Sequence, residues 1–308
     1  MPGALDLTDD ACTYQPVAGE ELVLTTDALV ADVHFLRSDP ADLVARKMLR
    51  VNLSDLAAKG ARPIGYLMTV ALDAGITPAW LAAFSAGLAE DQRQFDIHLM
   101  GGDTIKTAGP LSLSLTAIGA VPTGRALRRR GAQPGDRLFV TGTIGDGYLG
   151  LRVLRADWPD LAMDLRRFLE ARYQLPEPRL AFGCEVMAAG LATAAMDVSD
   201  GLVADLAHLA KASGCGAIIH AEKTPLSAAG TEILARDPAL LTSLITGGDD
   251  YELLLTVRPG AAAELQALAS RIGLGVTEIG WMTDDGLVRV VDRDGVDLDL
   301  PQRGYQHF

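Results

Sequence analysis

The sequence predicts a mixed α/β fold divided into two domains. Segments with the hydrophobic spacing of strands alternate along the chain with segments that have the spacing of helices. The 308 residues are enough for two domains and more than one hydrophobic core. Near the middle, the charged stretch RRRGAQPGDRL (128–138), which contains glycine and proline, interrupts the alternation. We therefore predict an N-terminal α/β domain over residues 1–130 and a C-terminal α/β domain over residues 131–308.

The first domain is predicted to contain four strands and two helices. The alternating LSLSLTAIGAV is typical of a strand with one exposed face. Apolar residues at helical spacing, ended by Gly60 and Pro63, predict the first helix, and Pro78 suits the first turn of the second. The predicted order is strand 21–26, helix 42–60, strand 64–72, helix 78–95, and strands 97–100 and 111–121.

The second domain repeats this theme, and neither half shows a tandem repeat or low complexity. The strand LFVT is followed by helices that extend to about residue 213, with the buried strand TAAMDV among them. After these come the strand GAIIH, further helices, the strand YELLLTV (251–257), a helix over 259–271 and short terminal strands.

Composition excludes several classes of function. The net charge of −13 disfavours a nucleic-acid-binding surface. No stretch reaches the roughly 18 apolar residues of a membrane helix. The acidic first residues, MPGALDLTDDAC, lack the apolar segment of a signal peptide, and the three cysteines follow no metal-binding spacing. We therefore expect a cytoplasmic protein with neither a nucleic-acid nor a membrane partner.

Aspartates recur in short motifs, four of which are predicted to follow or end a strand. A single exposed aspartate is usually a cap or a turn residue, but six such motifs in one chain are unexpected as caps alone. Scattered carboxylates suit Mg²⁺, and paired glycines allow the backbone to approach a phosphate. The motifs are TDDA (8–11), TTDAL (25–29), NLSDLAAKGARP (52–63), GGDT (101–104), MDVSDG (196–201) and GGDDYEL (247–253).

One competing motif indicates a different cofactor. GDGYLG (145–150) matches the dinucleotide-binding fingerprint G-x-G-x-x-G and would indicate a NAD-dependent enzyme. The following stretch, DLAMDLRRFLEARYQL, has a helical pattern where the fingerprint requires a strand. We therefore interpret these glycines as residues that permit close packing.

The chain resembles the thiamine-monophosphate kinases over nearly its whole length. That family belongs to a superfamily with aminoimidazole-ribonucleotide synthetase, selenophosphate synthetase and the hydrogenase-maturation protein HypE. The motifs that carry the resemblance occur in the family's order and spacing: TTDALVADVHF, KMLRVNLSDLAAKGARP, GGDT, RRRGAQPGD, VTGTIGD, PEPR, MDVSDGL, GGDDYEL and the tail GYQHF.

The resemblance implies a two-domain fold like that of aminoimidazole-ribonucleotide synthetase, in which N-terminal domains pair into a β-barrel across a homodimer. It implies transfer of the γ-phosphoryl group of ATP to thiamine monophosphate with several Mg²⁺ ions. No general base or nucleophile is expected, because a phosphate oxygen accepts the phosphoryl group directly.

The resemblance also implies roles for individual residues. The metal ligands would be Asp10, Thr25, Thr26, Asp27, Asp55, Asp103, Asp197 and Asp200. ATP would contact Gly102, Asp103, Arg129 and Ser199. Thiamine monophosphate would contact His34, Asp249 and Gln302.

The sequence departs from the family pattern in three places. Leu7 and Thr8 stand where glycines precede the first aspartate pair, and the family carries a longer segment before them. Asp249 stands where glutamate is expected, and Gln302 where an aromatic residue is common. Two alternatives therefore remain: another ATP-dependent enzyme of the superfamily, similar to aminoimidazole-ribonucleotide synthetase, or a catalytically weak thiamine-phosphate-binding protein.

Overall fold

The computed structural model describes residues 2–300 and residue 304. Two compact units make up the chain. Unit 1 comprises the residues up to Leu56 together with Ala61–Ala126, and unit 2 comprises Ala57–Gly60 and the chain from Leu127 onward. Across the described residues there is no helix long and apolar enough to cross a membrane.

Unit 1 is built on a four-stranded mixed sheet with two helices, as the sequence predicts. The sheet order is β1-β4-β2-β3, in which β2 and β3 run parallel and the other pairs run antiparallel. The elements are β1 (Glu20–Val30), α1 (Ala41–Lys59), β2 (Arg62–Leu72), α2 (Pro78–Phe95), β3 (His98–Lys106) and β4 (Ser112–Pro122).

Both ends of α2 agree with the prediction, because they depend on local signals. The Thr77 side chain accepts a hydrogen bond from the Trp80 N–H at the start of the helix, and Asp96 ends it in the left-handed conformation. By contrast, β1 and β3 extend beyond their predicted ends. Asp27 and Asp103 therefore lie inside strands, paired with Leu115 and Thr69, and do not follow them as the motifs predicted.

A buried ion cluster joins α1 to α2. Asp91 is fully buried and accepts hydrogen bonds from Arg46 Nε at 2.8 Å and from Arg50 Nε at 2.7 Å. The Arg50 guanidinium also lies over the Phe95 ring, 5.1 Å from its centroid. Removing Asp91 would take the shared carboxylate away from the buried Arg50 guanidinium, at a cost of about 3–5 kcal/mol. These contacts hold both helices in place beside the sheet.

Unit 2 is built on a six-stranded sheet in the order β10-β7-β9-β5-β8-β6. Its strands are β5 (Arg137–Thr141), β6 (Ala192–Val198), β7 (Gly216–His220), β8 (Glu252–Val257), β9 (Val276–Thr283) and β10 (Val288–Val291). Its helices are α3 (Asp146–Leu154), α4 (Met163–Gln174), α5 (Leu180–Ala189), α6 (Leu202–Ser213), α7 (Ala228–Arg236), α8 (Leu241–Thr246) and α9 (Ala262–Arg271).

Apolar clusters cover both faces of this second sheet. Leu138 and Leu254 belong to the cluster that includes α6, whereas Phe139 and Leu253 belong to the one that includes α5 and α9. Every residue of β8 is buried, which explains why its sequence is nearly continuously apolar and does not alternate. The predicted helix over 259–271 is confirmed, except that its first turn is a 3₁₀ turn, Pro259–Ala261.

Candidate functional site

The turn between β6 and α6 carries the MDVSDG motif. Asp197 lies near the end of β6, and Asp200 follows the strand by two residues. Gly201 has a φ of 117°, and a Cβ there would lie 2.5 Å from the carbonyl oxygen of Thr246. The glycine is therefore required for the turn to pack closely against the end of α8.

A third carboxylate, which the sequence analysis did not identify, holds this turn. Asp205 is buried in the first turns of α6, and its Oδ2 accepts the backbone N–H groups of Ser199 and Asp200, each at 3.0 Å. Burial, followed by the charges of Asp197 and Asp200, raises the pKa of Asp205 to about 8. Its position five residues after Asp200 was the available signal, but an aspartate near a helix start normally indicates only a favourable interaction with the helix dipole.

The carboxylates of Asp197, Asp200 and Asp205 suit a cation that is also bound by other ligands. Three carboxylates repel one another when ionised, and a divalent cation would remove that repulsion. Within residues 2–300 and 304, no group of three or more His, Cys, Asp or Glu side chains is arranged so that it could hold a metal ion. Mg²⁺ is usually held by a few carboxylates together with water and substrate phosphates.

The GGDDY turn, residues 247–251, lies directly against the MDVSDG turn. The Asp249 N–H donates to the Ser199 carbonyl oxygen at 2.9 Å, and the Tyr251 N–H donates to that of Val198 at 2.7 Å. A Cβ on Gly248 would lie 2.4 Å from the Ser199 oxygen. The structure thus brings together Ser199, predicted for ATP, and Asp249, predicted for the substrate.

The glycines of GDGYLG contact the protein itself. The buried carboxylate of Asp250 accepts the N–H of Gly145 at 2.9 Å and that of Gly147 at 3.2 Å. A Cβ on Gly150 would lie 2.1 Å from the carbonyl oxygen of Leu169 in α4. The amides that a dinucleotide phosphate would need are therefore occupied, and the interpretation of these glycines as packing residues is confirmed.

Burial also changes the ionisation of this region. Desolvation raises the pKa of Asp250 well above its ordinary value, although the N–H of Gly145 opposes the shift. Nearby, desolvation raises the pKa of Asp146, against the hydrogen bonds from Ser227 at 2.6 Å and from Thr143 at 2.5 Å.

In unit 1, a short hydrogen bond joins two of the predicted metal ligands. Thr25 Oγ1 donates to Asp55 Oδ2 at 2.5 Å. Alternation along β1 places Asp27 on the same face as Thr25 and puts Thr26 on the opposite face. There, Thr26 donates to the Leu115 carbonyl oxygen at 3.0 Å and accepts from Thr116 at 3.2 Å. The structure therefore groups Thr25 and Asp27 with α1 and separates the Thr26 side chain from them.

A pocket of about 510 Å³ in unit 1 gathers three other predicted residues. Asp10 lines it from the N-terminal segment, and Gly102 and Asp103 line it from β3. A Cβ on Gly102 would lie 1.9 Å from the carbonyl oxygen of Met68, so only glycine fits at this strand position. The exposed carboxylates of Asp10 and Asp103 suit a ligand that carries a metal ion.

His34 has a visible structural role in the turn after β1. Its Nδ1 accepts the Val30 N–H at 3.1 Å, and its carbonyl oxygen accepts from the buried Lys47 Nζ at 3.0 Å. A role for His34 in binding substrate stays a prediction.

Arg129 and Ser199 lie at opposite ends of α6. The Arg129 carbonyl oxygen accepts from Ser213, the last residue of that helix, whereas Ser199 precedes its first turn. The structure therefore does not bring the two predicted ATP contacts together, and the assignment of Arg129 stays a prediction.

Gln302 lies outside the described residues. Gly304 lies beside the MDVSDG turn, where a Cβ would be 3.0 Å from the Asp200 carbonyl oxygen.

Two family models match most of the chain. The model for the AIR synthase related protein, N-terminal domain, matches residues 8–121, and the model for its C-terminal domain matches residues 133–293.

Individual relatives cover nearly the full length. A thiamine-monophosphate kinase from Caulobacter vibrioides is 48% identical, over 99% of this chain and 86% of the relative. The crystal structure of the thiamine-monophosphate kinase from Stenotrophomonas maltophilia has a TM-score of 0.85 at 41% identity, covering 95% of this chain and 91% of that one. A structure described as AaThiL complexed with AMPPCP and TMP has a TM-score of 0.82 at 31% identity, covering 97% and 91%.

Proposed function

This chain belongs to the thiamine-monophosphate kinase family, and we propose that it transfers the γ-phosphoryl group of ATP to the phosphate of thiamine monophosphate, giving thiamine diphosphate. One observation carries the proposal within the structure. The GGDDY and MDVSDG turns share two backbone hydrogen bonds, which set a predicted substrate residue, Asp249, beside a predicted ATP residue, Ser199. Direct transfer requires the phosphoryl donor and its acceptor to be bound next to each other, and neighbouring turns would hold them so.

The residues suggest how two anionic substrates can approach each other. Mg²⁺, when bound, supplies the positive charge that reduces repulsion between the phosphates. In unit 2, Asp205 holds the backbone of Ser199 and Asp200, so the carboxylates of Asp197 and Asp200 are presented from a rigid turn. In unit 1, Thr25 orients Asp55 through its hydroxyl group. Neither a nucleophile nor a general base is assigned, because the acceptor phosphate oxygen is itself nucleophilic.

We assign the site residues as follows. Metal ligands are Asp10, Thr25, Thr26, Asp27, Asp55, Asp103, Asp197 and Asp200. ATP contacts are Gly102, Asp103, Arg129 and Ser199, and contacts to thiamine monophosphate are His34, Asp249 and Gln302. We also propose 1–130 and 131–308 as the two domains, and a cytoplasmic location.

A homodimer formed through unit 1 is part of the same proposal. The sheet face opposite Thr25 and Asp27 carries apolar side chains, among them Leu24, which is 63% exposed, and Ile105, which is 47% exposed. A row of exposed apolar residues on a sheet is typical of a surface covered by another chain. We propose that a second copy covers this face, so that the two sheets form a barrel.

The oligomeric state tests this surface directly. Leu24→Glu should convert a dimer to a monomer in light scattering, because it places a charge on the apolar face. Leu287→Glu is the matched control, since Leu287 is 60% exposed but lies in unit 2. A wild-type monomer, or a Leu24→Glu dimer, would contradict the proposal.

The activity itself is tested by incubating the protein with ATP, Mg²⁺ and thiamine monophosphate and separating the products by chromatography. We expect thiamine diphosphate and ADP, and no product in the presence of EDTA. Binding of thiamine monophosphate without product would support the alternative of a weak thiamine-phosphate-binding protein. ATP binding without affinity for thiamine monophosphate would indicate another enzyme of the superfamily.

A further inference from the structure

The GGDDY turn has an unusual backbone conformation at two positions. Asp249 and Tyr251 have φ values of 70° and 53°, in the left-handed region that residues other than glycine rarely adopt. Such a conformation persists only where the surroundings impose it, and it is most common at functional sites. The contacts that hold this turn therefore determine where Asp249 is presented.

Two buried carboxylates anchor the turn from its inner side. Asp250, between the two left-handed residues, accepts the N–H groups of Gly145 and Gly147. Glu252, at the start of β8, is fully buried and pairs with Val198 at the end of β6. Asp250 and Glu252 thus lie on either side of Tyr251, directly beside the MDVSDG turn.

Glu252 is held by three side chains from separate parts of unit 2. Thr141 Oγ1 donates to its Oε2 at 2.6 Å. Arg179 donates through Nε to Oε2 at 2.7 Å and through Nη2 to Oε1 at 2.5 Å, a bidentate arrangement. Arg172 Nη2 donates to Oε1 at 2.8 Å and also to the Asp250 carbonyl oxygen at 3.2 Å. We call Thr141, Arg172, Arg179 and Glu252 the Glu252 clamp.

The geometry points to the Glu252 clamp as the positioning element of the GGDDY turn, with Arg172 and Arg179 acting through Glu252 and the Asp250 carbonyl to hold Asp249 in place for substrate. This inference rests on the proposed function, in which Asp249 contacts thiamine monophosphate. Arg172 is the link, because a single nitrogen contacts both the clamp carboxylate and the turn backbone.

The clamp joins the PEPR and GGDDYEL motifs. Arg179 is the arginine of PEPR, and Glu177 in the same motif accepts from its Nη1 at 2.9 Å. The prolines on either side of Glu177 restrict the backbone of this segment and so limit where Arg179 can reach. Gly142 leaves room for the clamp, since a Cβ there would lie 2.1 Å from Glu252 Oε1.

Two measurements separate positioning from simple stabilisation. Arg172→Lys keeps the charge but cannot reproduce the donors of a guanidinium. Arg167→Lys is the control, because Arg167 is exposed on the same helix, α4. We expect Arg172→Lys to raise KM for thiamine monophosphate about tenfold and to leave KM for ATP within about twofold. Hydrogen–deuterium exchange in a peptide covering 247–252 should also become faster, because the amides of Asp249 and Tyr251 lose protection.

A second pair of variants, at Thr141, changes the clamp less than Arg172→Lys does and keeps the inference testable if Arg172→Lys does not fold. Thr141→Val removes the hydroxyl that donates to Glu252, whereas Thr141→Ser keeps it, so only the valine variant should show the KM and exchange effects. A lower Tm with unchanged KM and unchanged exchange at 247–252 would overturn the inference and leave the clamp a stabilising contact only. If the wild-type protein makes no thiamine diphosphate, the proposed function fails, and the exchange comparison alone still decides whether the clamp holds the turn.

Discussion

The Asp205 carboxylate accepts the backbone N–H of Asp200, five residues earlier in the chain, at 3.0 Å. It accepts the N–H of Ser199 at the same distance, so one buried side chain determines the shape of the turn. The same carboxylate lies close enough to Asp197 and Asp200 for their charges to raise its pKa. Asp205 therefore holds the turn, and with a pKa of about 8 it would add negative charge to the proposed metal site only when a bound cation displaces its proton.

Asp205→Asn should weaken the response to magnesium. The amide keeps the size of the side chain but cannot lose a proton to gain negative charge when a cation binds, so we expect the Mg²⁺ concentration for half-maximal activity to rise about tenfold. The metal-free Tm at about pH 7 should change little, because the Asp205 carboxyl is mostly protonated there and is replaced by another neutral group. Asp164→Asn, at an exposed position of α4, serves as the control. An unchanged magnesium response would show that the charge of Asp205 is not part of the site.

Asp55→Asn should abolish turnover while leaving the fold intact. Asp55 is proposed as a metal ligand, and loss of one electrostatic contact of this kind reduces kcat by ~10² or more. Thr25→Val should have a smaller effect, because it removes a neutral hydroxyl, which is a proposed metal ligand and also orients Asp55, but leaves the Asp55 carboxylate in place. Activity would be measured alongside circular dichroism, with the exposed Asp96→Asn as the control. Full activity in Asp55→Asn would remove this residue from the metal site.

Gly147→Ala should disturb both stability and substrate binding. Its Cβ would lie 2.2 Å from the carbonyl oxygen of Asp249, so the GGDDY turn must shift. Overpacking of this kind costs about 1–3 kcal/mol. Gly230→Ala is a matched substitution early in α7, where the nearest atom would be 3.4 Å away. We expect a lower Tm and a higher KM for thiamine monophosphate only in Gly147→Ala, and equal behaviour of the two variants would contradict the packing argument.

Asp146→Asn should change how stability depends on pH. Burial raises the folded-state pKa of Asp146, so the folded protein holds this proton more tightly than the unfolded chain does. That contribution to the free energy of unfolding is complete below about pH 4 and is lost as pH rises through the folded-state pKa. Asparagine does not titrate, so the variant should gain stability relative to wild type above about pH 4, by at most about 1.4 kcal/mol per pH unit.

A second variant tests the sign of this effect. The Thr283 hydroxyl, the Leu287 N–H and the Arg289 charge lower the pKa of the exposed Asp285. Its stabilising contribution is present above the unfolded pKa and is lost as pH falls, so Asp285→Asn should lose stability relative to wild type as pH rises. Urea unfolding between about pH 2.5 and about pH 7 measures both trends, because the Asp285 contribution changes below about pH 4 and the Asp146 contribution changes above it. If the stability of both variants relative to wild type changed with pH in the same direction, the opposite pKa shifts assigned to Asp146 and Asp285 would be contradicted.

Local signals determined much of what the sequence predicts correctly. The α2 helix begins after Thr77 with proline in its first turn and ends at Asp96, so both boundaries follow from chemistry within a few residues. Alternation along LSLSLTAIGAV likewise identifies β4 as a strand with two different faces. The aspartate motifs and their order indicated the family, because each motif is a run of contiguous residues.

Only the tertiary structure decided which of these residues meet. Thr25 reaches Asp55 over 30 residues, Arg179 reaches Glu252 over 73, and Gly145 reaches Asp250 over 105. Sequence spacing cannot reveal such contacts, because they depend on strand pairing and on which way each strand face points. The roles of Asp205, Glu252 and Asp250 therefore appeared only in the folded chain. The sequence by itself determined the types of secondary-structure element and the family. Packing decided which carboxylates are proposed to face a ligand and which instead hydrogen-bond the backbone of the turns that carry the site.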